Sequence, residues 1–225
     1  MSLMAQFQQK KDPEYGNEAQ GGFKVVGSMP GNSIGKQQTI TKFEKELAND
    51  LEALGMIKSI KQKETEKASH LVPKYMPLVK SLTASGSDHP LLGQILVWIF
   101  DIKDIPAAME LALYCIEHEV SMPERFKRDL TTYLCDTIVE WAETEHEAGR
   151  SCEPYFTQVC DLAENWDIVD QIRARLFRLR GLIALSKEDW KQAIIEFEYA
   201  EEYGAKVKTW LTRAAKKAAA AAENK

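Results

Sequence analysis

The sequence predicts an all-α protein in which a long N-terminal helix is followed by stacked helical hairpins, the last pair tetratricopeptide-like. Apolar residues recur at steps of three or four along most of the chain, which is the period of an amphipathic helix. Proline and glycine separate these stretches, and no stretch sustains the period-two alternation of a half-buried strand. Of the 225 residues, 44% are hydrophobic and 28% are charged, which is enough apolar material for a folded core.

The first 36 residues are predicted to be a mobile N-terminal arm. Residues 1–36 are rich in Gly, Gln, Asn and Lys. Gly21-Gly22 and Pro30-Gly31 are turn signals, and no helical or strand period runs across them. We therefore expect the first helix to begin near Thr39, with the hydroxyl of Thr39 or Thr41 as its cap.

Residues 37–85 are predicted to hold a long helix followed by a proline-broken helix. An apolar stripe runs along the first helix and continues through Ile57 and Ile60. A narrow stripe on a polar helix is typical of a contact with another subunit, and a helix that folds back on its own domain is the open alternative. Pro73 and Pro77 predict a break or restart of the second helix. The candidate oligomerisation residues are Ile40, Phe43, Leu47, Leu51 and Leu54.

Residues 86–225 are predicted to form a helical-hairpin domain that docks a protein. The almost wholly apolar residues 91–102 predict a buried helix. Asp104-Ile105-Pro106 then starts a new helix with proline in its first turn, where a missing N–H costs nothing. Further helices are predicted at residues 107–118, 130–149, 154–164, 168–185, 188–203 and 206–222.

The closing helices are predicted to resemble a tetratricopeptide repeat. Its small, small, aromatic and small positions are matched by Gly181, Ala193, Phe197 and Ala200. Two antiparallel helices approach closely where Gly181 and Ala193 face each other, with Phe197 filling the space beside them.

An earlier segment repeats part of this pattern. Asp104 precedes Ala108 by four residues, as Asp189 precedes Ala193. This imperfect repeat predicts stacked hairpins rather than a regular array, and such surfaces usually bind protein.

Neither a metal site nor a redox site is predicted from the cysteines and histidines. The four cysteines are spread along the chain without a C-x-x-C pair, so we expect reduced core residues. Glu143 and His146 have the spacing of a di-iron helix, but that chemistry needs two such pairs and only one is present.

No catalytic residue and no cofactor are predicted either. Asp88, Asp101 and Lys103 have the order of a nuclease motif, yet they flank a predicted helix instead of lying on paired strands. The glycines before Lys36 are misplaced for a phosphate-binding loop, and Gln37 stands where Ser or Thr would bind magnesium.

Charge is divided unevenly along the chain. Residues 1–85 hold 12 lysines against 9 acidic residues, whereas residues 86–225 hold 17 basic and 25 acidic residues, a balance of −8. The candidate DNA-binding residues are Lys58, Lys61, Lys63 and Lys67, with a solvated helix face as the open alternative. A possible second basic patch is formed by Lys206, Lys208, Arg213, Lys216 and Lys217.

A further cluster of arginines is expected to be neutralised. Its members are Arg173, Arg175, Arg178 and Arg180. Asp167 and Asp170 lie about one turn upstream, and we expect them to pair with these arginines.

Two proline-bearing segments and a tryptophan-containing helix occur in a definite order. They read Leu71-Val72-Pro73-Lys74-Tyr75-Met76-Pro77, Ile95-Leu96-Val97-Trp98, Asp101-Ile102-Lys103-Asp104-Ile105 and Ala108-Met109-Glu110-Leu111-Ala112. Together with Met122-Pro123 and the segment from Gly181 to Ala200, this order is similar to that of the terminase small subunit family of temperate contractile-tailed phages. The similarity spans about residues 40–217.

The resemblance implies a role in packaging viral double-stranded DNA. Members of this family recognise concatemeric DNA and present it to the terminase large subunit, which carries the ATPase motor. Small terminases generally form homo-oligomeric rings, and this family is described as the terminase endonuclease subunit. Mg²⁺ would be needed only if that nuclease activity is intrinsic, and we expect cleavage to belong to the assembled complex.

The expected location is the cytoplasm of a bacterial host cell. The apolar stretch that follows Gln94 and ends at Phe100 is far shorter than the roughly 20 residues of a membrane span. The main competing hypothesis is a helical-repeat adaptor that binds protein and no nucleic acid, motivated by the acidic balance of residues 86–225. A third hypothesis, an intrinsic nuclease, predicts metal-dependent nicking by the isolated chain.

Overall fold

The computed structural model describes residues 33–223, with side chains for residues 40–222, and its regular secondary structure there is entirely helical. This confirms the all-α prediction for that part of the chain. Residues 1–32 of the predicted arm lie outside the described residues. Residues 33–36, which were also assigned to the arm, instead begin the first helix. The chain divides into two compact units, Met1–Phe43 and Glu44–Lys225.

The helices follow one another with short connections. In chain order they are α1 (Ser33–Met56), α2 (Ile60–Glu66), a π-helix (Lys67–Leu71), α3 (Val72–Ala84), α4 (Leu91–Asp101), α5 (Ile105–Glu117), α6 (Leu130–Glu147), α7 (Tyr155–Ala163), α8 (Asp170–Ser186), α9 (Trp190–Glu202) and α10 (Lys208–Glu223).

The predicted apolar stripe stops at the end of α1. Leu54 is buried, but Ile60 lies beyond a three-residue break and its exposed fraction is 75%. The break occurs because Ser59 caps a new helix, with its hydroxyl accepting the Gln62 N–H at 3.3 Å. Ile57 and Ile60 therefore do not extend the stripe.

Part of α1 folds back on its own unit, which was the alternative to a subunit contact. Asp50 accepts hydrogen bonds from the Tyr75 hydroxyl and the Lys74 ammonium, each at 2.7 Å. Because both donors lie on α3, these contacts hold α1 against it. Oligomerisation through the stripe stays a prediction.

The proline-rich segment is not broken. Pro73 lies in the first turn of α3 and Pro77 lies inside it. Pro73 lacks the N–H that an α-helix would require, and its ring would clash with the carbonyl four residues earlier. The π-helix that ends at Leu71 widens the turn before Pro73, with the Val72 N–H donating to the Lys67 carbonyl, so the chain stays helical.

The core of the second unit is centred on α4. Every residue from 91 to 100 is buried, as the unbroken apolar run predicts. Gly93 allows a close approach, since a Cβ there would lie 2.5 Å from the Ser121 carbonyl oxygen. The helix packs against α3 and α5, and α6 continues the stack from α5 to α7 and α8.

Two hairpin turns have the same construction. Lys103 and Glu188 both have φ of 61°, and each is followed by an aspartate that caps the next helix. Asp104 accepts the Ala107 N–H, and Asp189 accepts the Gln192 N–H. The spacing repeat in the sequence is therefore a repeat of turn geometry between α4–α5 and α8–α9.

The C-terminal core is built around Phe197. A Cβ on Gly181 would lie 2.5 Å from Phe197 Cε1, so α8 and α9 approach closely only because residue 181 has no side chain. Ala193 and Ala200 are buried in the same cluster. Val207, just before α10, and Ala214, on α10, belong to it too, so α10 packs against this core. The likeness to a tetratricopeptide repeat stays a prediction. Within residues 33–223, none of the helices combines the length and apolar character needed to cross a bilayer.

Candidate nucleic-acid and docking surfaces

The predicted lysine cluster separates into exposed and internal members. Lys58 lies in the break between α1 and α2, and Lys61 lies in the first turn of α2; both are exposed. Lys63 is half-buried. We call residues 56–61 the elbow.

Lys67 lies in different surroundings from the exposed lysines. Its ammonium lies 2.6 Å from Asp101 Oδ2, and only 14% of its side chain is exposed. The pair ties the π-helix to the C-terminal end of α4. The ion pair with Asp101 gives Lys67 a packing contact that the exposed lysines lack, and its predicted role in DNA binding stays a prediction.

The second basic patch lies on the solvent side of α10. Val207 and Ala214 are buried, and Trp210 and Leu211 are half-buried on the same side of the helix. Five cations of this segment are exposed, namely Lys206 before the helix and Lys208, Arg213, Lys216 and Lys217 on it. The Lys217 ammonium lies 5.9 Å from the centre of the Trp190 ring. Among the residues that the structure describes, none of the five forms an ion pair with an acid.

The arginine cluster of α8 is neutralised, but the predicted partners are wrong. Arg175 donates to Asp136 Oδ1 and Glu143 Oε2, each at 2.7 Å, and Arg178 donates to Glu143 Oε1 at 2.5 Å. Both acids lie on α6. The Glu143 bonds raise the pKa of Arg175, because the hydrogen-bonded carboxylate favours the charged guanidinium.

The other two arginines are also held internally. Arg173 donates to the backbone carbonyls of Ala163 and Trp166, and Arg180 lies 2.9 Å from Glu196 on α9. Asp167 and Asp170, the acids suggested by local spacing, take no part in these contacts. The α8 cluster is thus a helix-joining network and not a basic surface.

A polar cavity of about 260 Å³ opens between α7, α8 and α9. Glu196 lines it with only 3% of its surface exposed. Its Oε1 accepts from Arg180 and Gln192, while Oε2 has no hydrogen-bond partner in the described chain. Lys187 and Glu153 also lie on the wall. Glu196 therefore joins α8 to α9 through Arg180 and lies beneath the wall of the cavity.

Two acids of the metal-like sequence motifs, Asp101 and Glu143, form ion pairs. Asp101 binds Lys67, and Glu143 binds two arginines. Across residues 40–222, no group of three or more His, Cys, Asp or Glu side chains is placed to hold a metal ion.

The four cysteines are buried, and no two of them are joined in a disulfide within the described residues. Burial raises the pKa of Cys115 and Cys135 to about 12 and also raises that of Cys160. Thiols with pKa values this high are protonated near neutral pH and behave as small core residues.

Sequence reasoning missed two features of these surfaces. Asp136 and Glu143 are seven residues apart, so they share one face of α6, and that spacing could have indicated partners for Arg175 and Arg178. Ser59 is followed three residues later by Gln62, a capping-box signal that could have located the elbow.

Comparison with known proteins finds similarity to terminase subunits of two phages. The chain is 29% identical over 148 residues to a "Probable terminase, endonuclease subunit" of Haemophilus phage HP1, covering 64% of this chain and 53% of the relative. It is 26% identical over 159 residues to the "Terminase, endonuclease subunit" of Escherichia phage P2, covering 69% of this chain and 64% of that protein. The chain thus matches less than two thirds of the length of either relative. No solved structure matches it.

A family match extends over the elbow, the core around α4, and α6. The sequence model described as phage small terminase subunit matches residues 45–171, more than half of the chain. The matched region ends as α8 begins, so the C-terminal cavity and the α10 patch lie largely outside it. The chain belongs to the phage small terminase subunit family.

Proposed function

We propose that this chain is the small subunit of a phage DNA-packaging terminase that binds viral double-stranded DNA and recruits or regulates the large ATPase and nuclease subunit during packaging and end cleavage. The family match over residues 45–171 carries the proposal. The exposed lysines of the elbow support the DNA-binding part, since cations without acidic partners gain most from contact with phosphates.

The second part of the proposal assigns large-subunit docking to the hairpin domain. Residues 86–225 have a charge balance of −8, which favours contact with a protein over general coating of nucleic acid. A cavity of about 260 Å³ beside Glu196 is a concave feature of this domain. The basic patch on α10 is a second candidate contact for DNA.

Cleavage is proposed to belong to the assembled terminase, although both relatives carry "endonuclease subunit" in their names. The engagement of Asp101 and Glu143 in ion pairs supports this assignment. Mg²⁺ would act on this chain only if nuclease activity were intrinsic. Nicking of plasmid DNA by the isolated chain with Mg²⁺ or Mn²⁺, lost in Asp88→Ala or Asp101→Ala, would overturn it.

The active form is proposed to be a homo-oligomeric ring in the cytoplasm of the bacterial host. The half-buried Leu47 and Leu51 of α1 support a subunit contact through the stripe. Light scattering of the purified chain, alone and with double-stranded viral DNA, tests oligomer formation and DNA binding together. A strict monomer without DNA affinity at low salt would contradict the proposal.

The alternative function is a protein adaptor that does not bind nucleic acid, favoured by the acidic charge of residues 86–225. Charge reversal of the exposed elbow lysines separates the two functions. A terminase small subunit loses DNA binding in Lys58→Glu/Lys61→Glu, whereas an adaptor has no DNA binding to lose.

A further inference from the structure

The elbow carries the two most exposed large apolar side chains in the described part of the chain. Met56 is 78% exposed and Ile60 is 75% exposed, whereas the next, Tyr199, is 47% exposed. Apolar area left in water contributes nothing to the stability of this fold. The clustering of Met56 and Ile60 within five residues points instead to a partner that covers them.

The positive charge around these side chains indicates that the partner is negatively charged. Lys58 and Lys61 are exposed, and no acidic residue lies between positions 56 and 61. Neither lysine forms an ion pair within residues 40–222. The elbow therefore combines exposed apolar side chains with lysines that have no acidic partner within that range. This combination is complementary to a polyanion that also has an apolar interior.

Gly55 adds a second feature of the elbow. A Cβ built at this position meets no atom within 4 Å, so packing within the described residues does not require a glycine here. Because glycine has no side chain, the backbone beside Met56 is uncovered. Bare backbone allows close approach of a bulky ligand.

Duplex DNA combines the two properties that the elbow complements. Its phosphates are anionic, and its stacked bases are apolar on their faces. Proteins that kink DNA insert side chains such as Met, Ile and Leu between base pairs from the minor groove while cations hold the adjacent backbone.

We propose that the elbow is a DNA-bending wedge, in which Met56 and Ile60 enter the minor groove at an opened base step and Lys58 and Lys61 contact the flanking phosphates. This inference rests on the proposed DNA-binding function and adds how the DNA is held. It assigns different tasks to neighbouring residues: the apolar pair bends the duplex, and the lysines supply salt-dependent affinity.

The test measures bending and binding separately with the full-length chain. The probe is a duplex of about 30 base pairs with a donor dye and an acceptor dye at its ends and easily opened TA steps at its centre. Wild type is expected to raise energy transfer on binding, because kinking brings the ends together. Met56→Ala/Ile60→Ala is expected to lose most of that rise while the slope of log affinity against log salt stays unchanged.

Two variants serve as controls. Ile195→Ala removes another exposed apolar side chain, far along the sequence on α9, and should leave bending and binding unchanged. Lys58→Ala/Lys61→Ala should weaken binding and reduce the salt slope by about 1.8, which corresponds to two phosphate contacts.

Each contrary outcome has a distinct meaning. Equal bending by wild type and Met56→Ala/Ile60→Ala overturns the wedge but leaves DNA binding intact. A smaller oligomer in that variant, measured by light scattering without DNA, shows that the apolar pair covers a second copy of the chain and also overturns the wedge. Absence of DNA binding by wild type at low salt overturns the proposed function itself.

Discussion

The elbow and helix α8 look alike in sequence and differ in the folded chain. The elbow, α2 and the first residue of the π-helix bring four lysines within residues 58–67, and α8 brings four arginines within residues 173–180. The α8 guanidiniums are bound by acids of α6 and α9 and by backbone carbonyls, whereas Lys58 and Lys61 remain exposed. A dense run of cations therefore does not define a basic surface. The helices that pack against the run decide whether its charge reaches solvent.

The largest effect is expected from removing the carboxylate that neutralises α8. Glu143→Ala leaves Arg175 and Arg178 without their shared acceptor between α6 and α8. Breaking a buried ion pair costs about 3–5 kcal/mol, and because these side chains are partly exposed we expect a loss of about 2 kcal/mol in the free energy of unfolding. Urea denaturation followed by circular dichroism measures it.

The matched control for this variant lies on the same helix. Glu147 is exposed near the end of α6, so Glu147→Ala should change stability by less than about 0.5 kcal/mol. Equal destabilisation by the two variants would mean that the network on α8 does not join the helices.

The second effect is a loss of DNA affinity when the exposed lysines of the elbow are changed. Lys58→Glu/Lys61→Glu should weaken DNA binding on the order of 10–100-fold at low salt, because two phosphate contacts become repulsions. The free energy of unfolding should stay within about 0.5 kcal/mol of wild type, since both side chains are exposed. Fluorescence anisotropy over a range of salt concentrations measures the affinity.

Charge alone could produce part of that loss, so the control keeps the net charge equal. Lys80 and Lys127 are exposed lysines outside the elbow. If Lys80→Glu/Lys127→Glu weakens binding as much as the elbow variant does, the elbow has no special place in DNA binding.

A smaller effect is expected at the one lysine of the cluster that turns inward. Lys67→Ala removes the ion pair with Asp101 and should lower the free energy of unfolding by about 1 kcal/mol while DNA affinity changes less than about twofold. A double-mutant cycle with Asp101→Asn, measured by urea denaturation, isolates the pair. A coupling free energy near zero between Lys67 and Asp101 would contradict this prediction. A loss of DNA affinity as large as that of the elbow variant would contradict it too, because Lys67 would then behave like the exposed lysines.

Local sequence patterns predicted the helices well and their partners poorly. The unbroken apolar run of α4, the close packing of Gly181 on Phe197 and the repeated Asp104 and Asp189 turns all follow from residues near in sequence. The partners of Arg175 lie 39 and 32 residues away, beyond the reach of one-turn spacing rules.

The elbow shows a second limit of periodicity. Ile57 and Ile60 continue the spacing of the α1 stripe, so the stripe alone extends the helix through them. The Ser59 cap ends that register and turns Ile60 outward. The π-helix before Pro73 had no sequence signal beyond the proline itself, because either a break or a widened turn removes the clash.

An effect no larger than that of Lys67→Ala concerns the cap that starts α6, the helix that supplies Asp136 and Glu143. The Asp129 carboxylate accepts the Thr132 N–H at 2.7 Å and the hydroxyls of Thr131 and Thr132. Burial acts to raise the pKa of Asp129, but these hydrogen bonds outweigh it, and the pKa is lowered. A carboxyl whose pKa is lower in the folded state stabilises the fold above its unfolded pKa of about 3.9 and loses that contribution as the pH falls through its folded value.

Asp129→Ala should therefore cost about 1 kcal/mol at pH 7, and the difference from wild type should shrink as the pH falls below about 4. Urea denaturation at several pH values measures both quantities. Asp129→Asn keeps a capping oxygen without a titratable charge, so it should retain part of the stability and show less dependence on acid pH than wild type. If Asp129→Asn instead followed the wild-type pH dependence, the acid sensitivity would belong to the ion pairs between α6 and α8, and the cap would contribute only a neutral hydrogen bond.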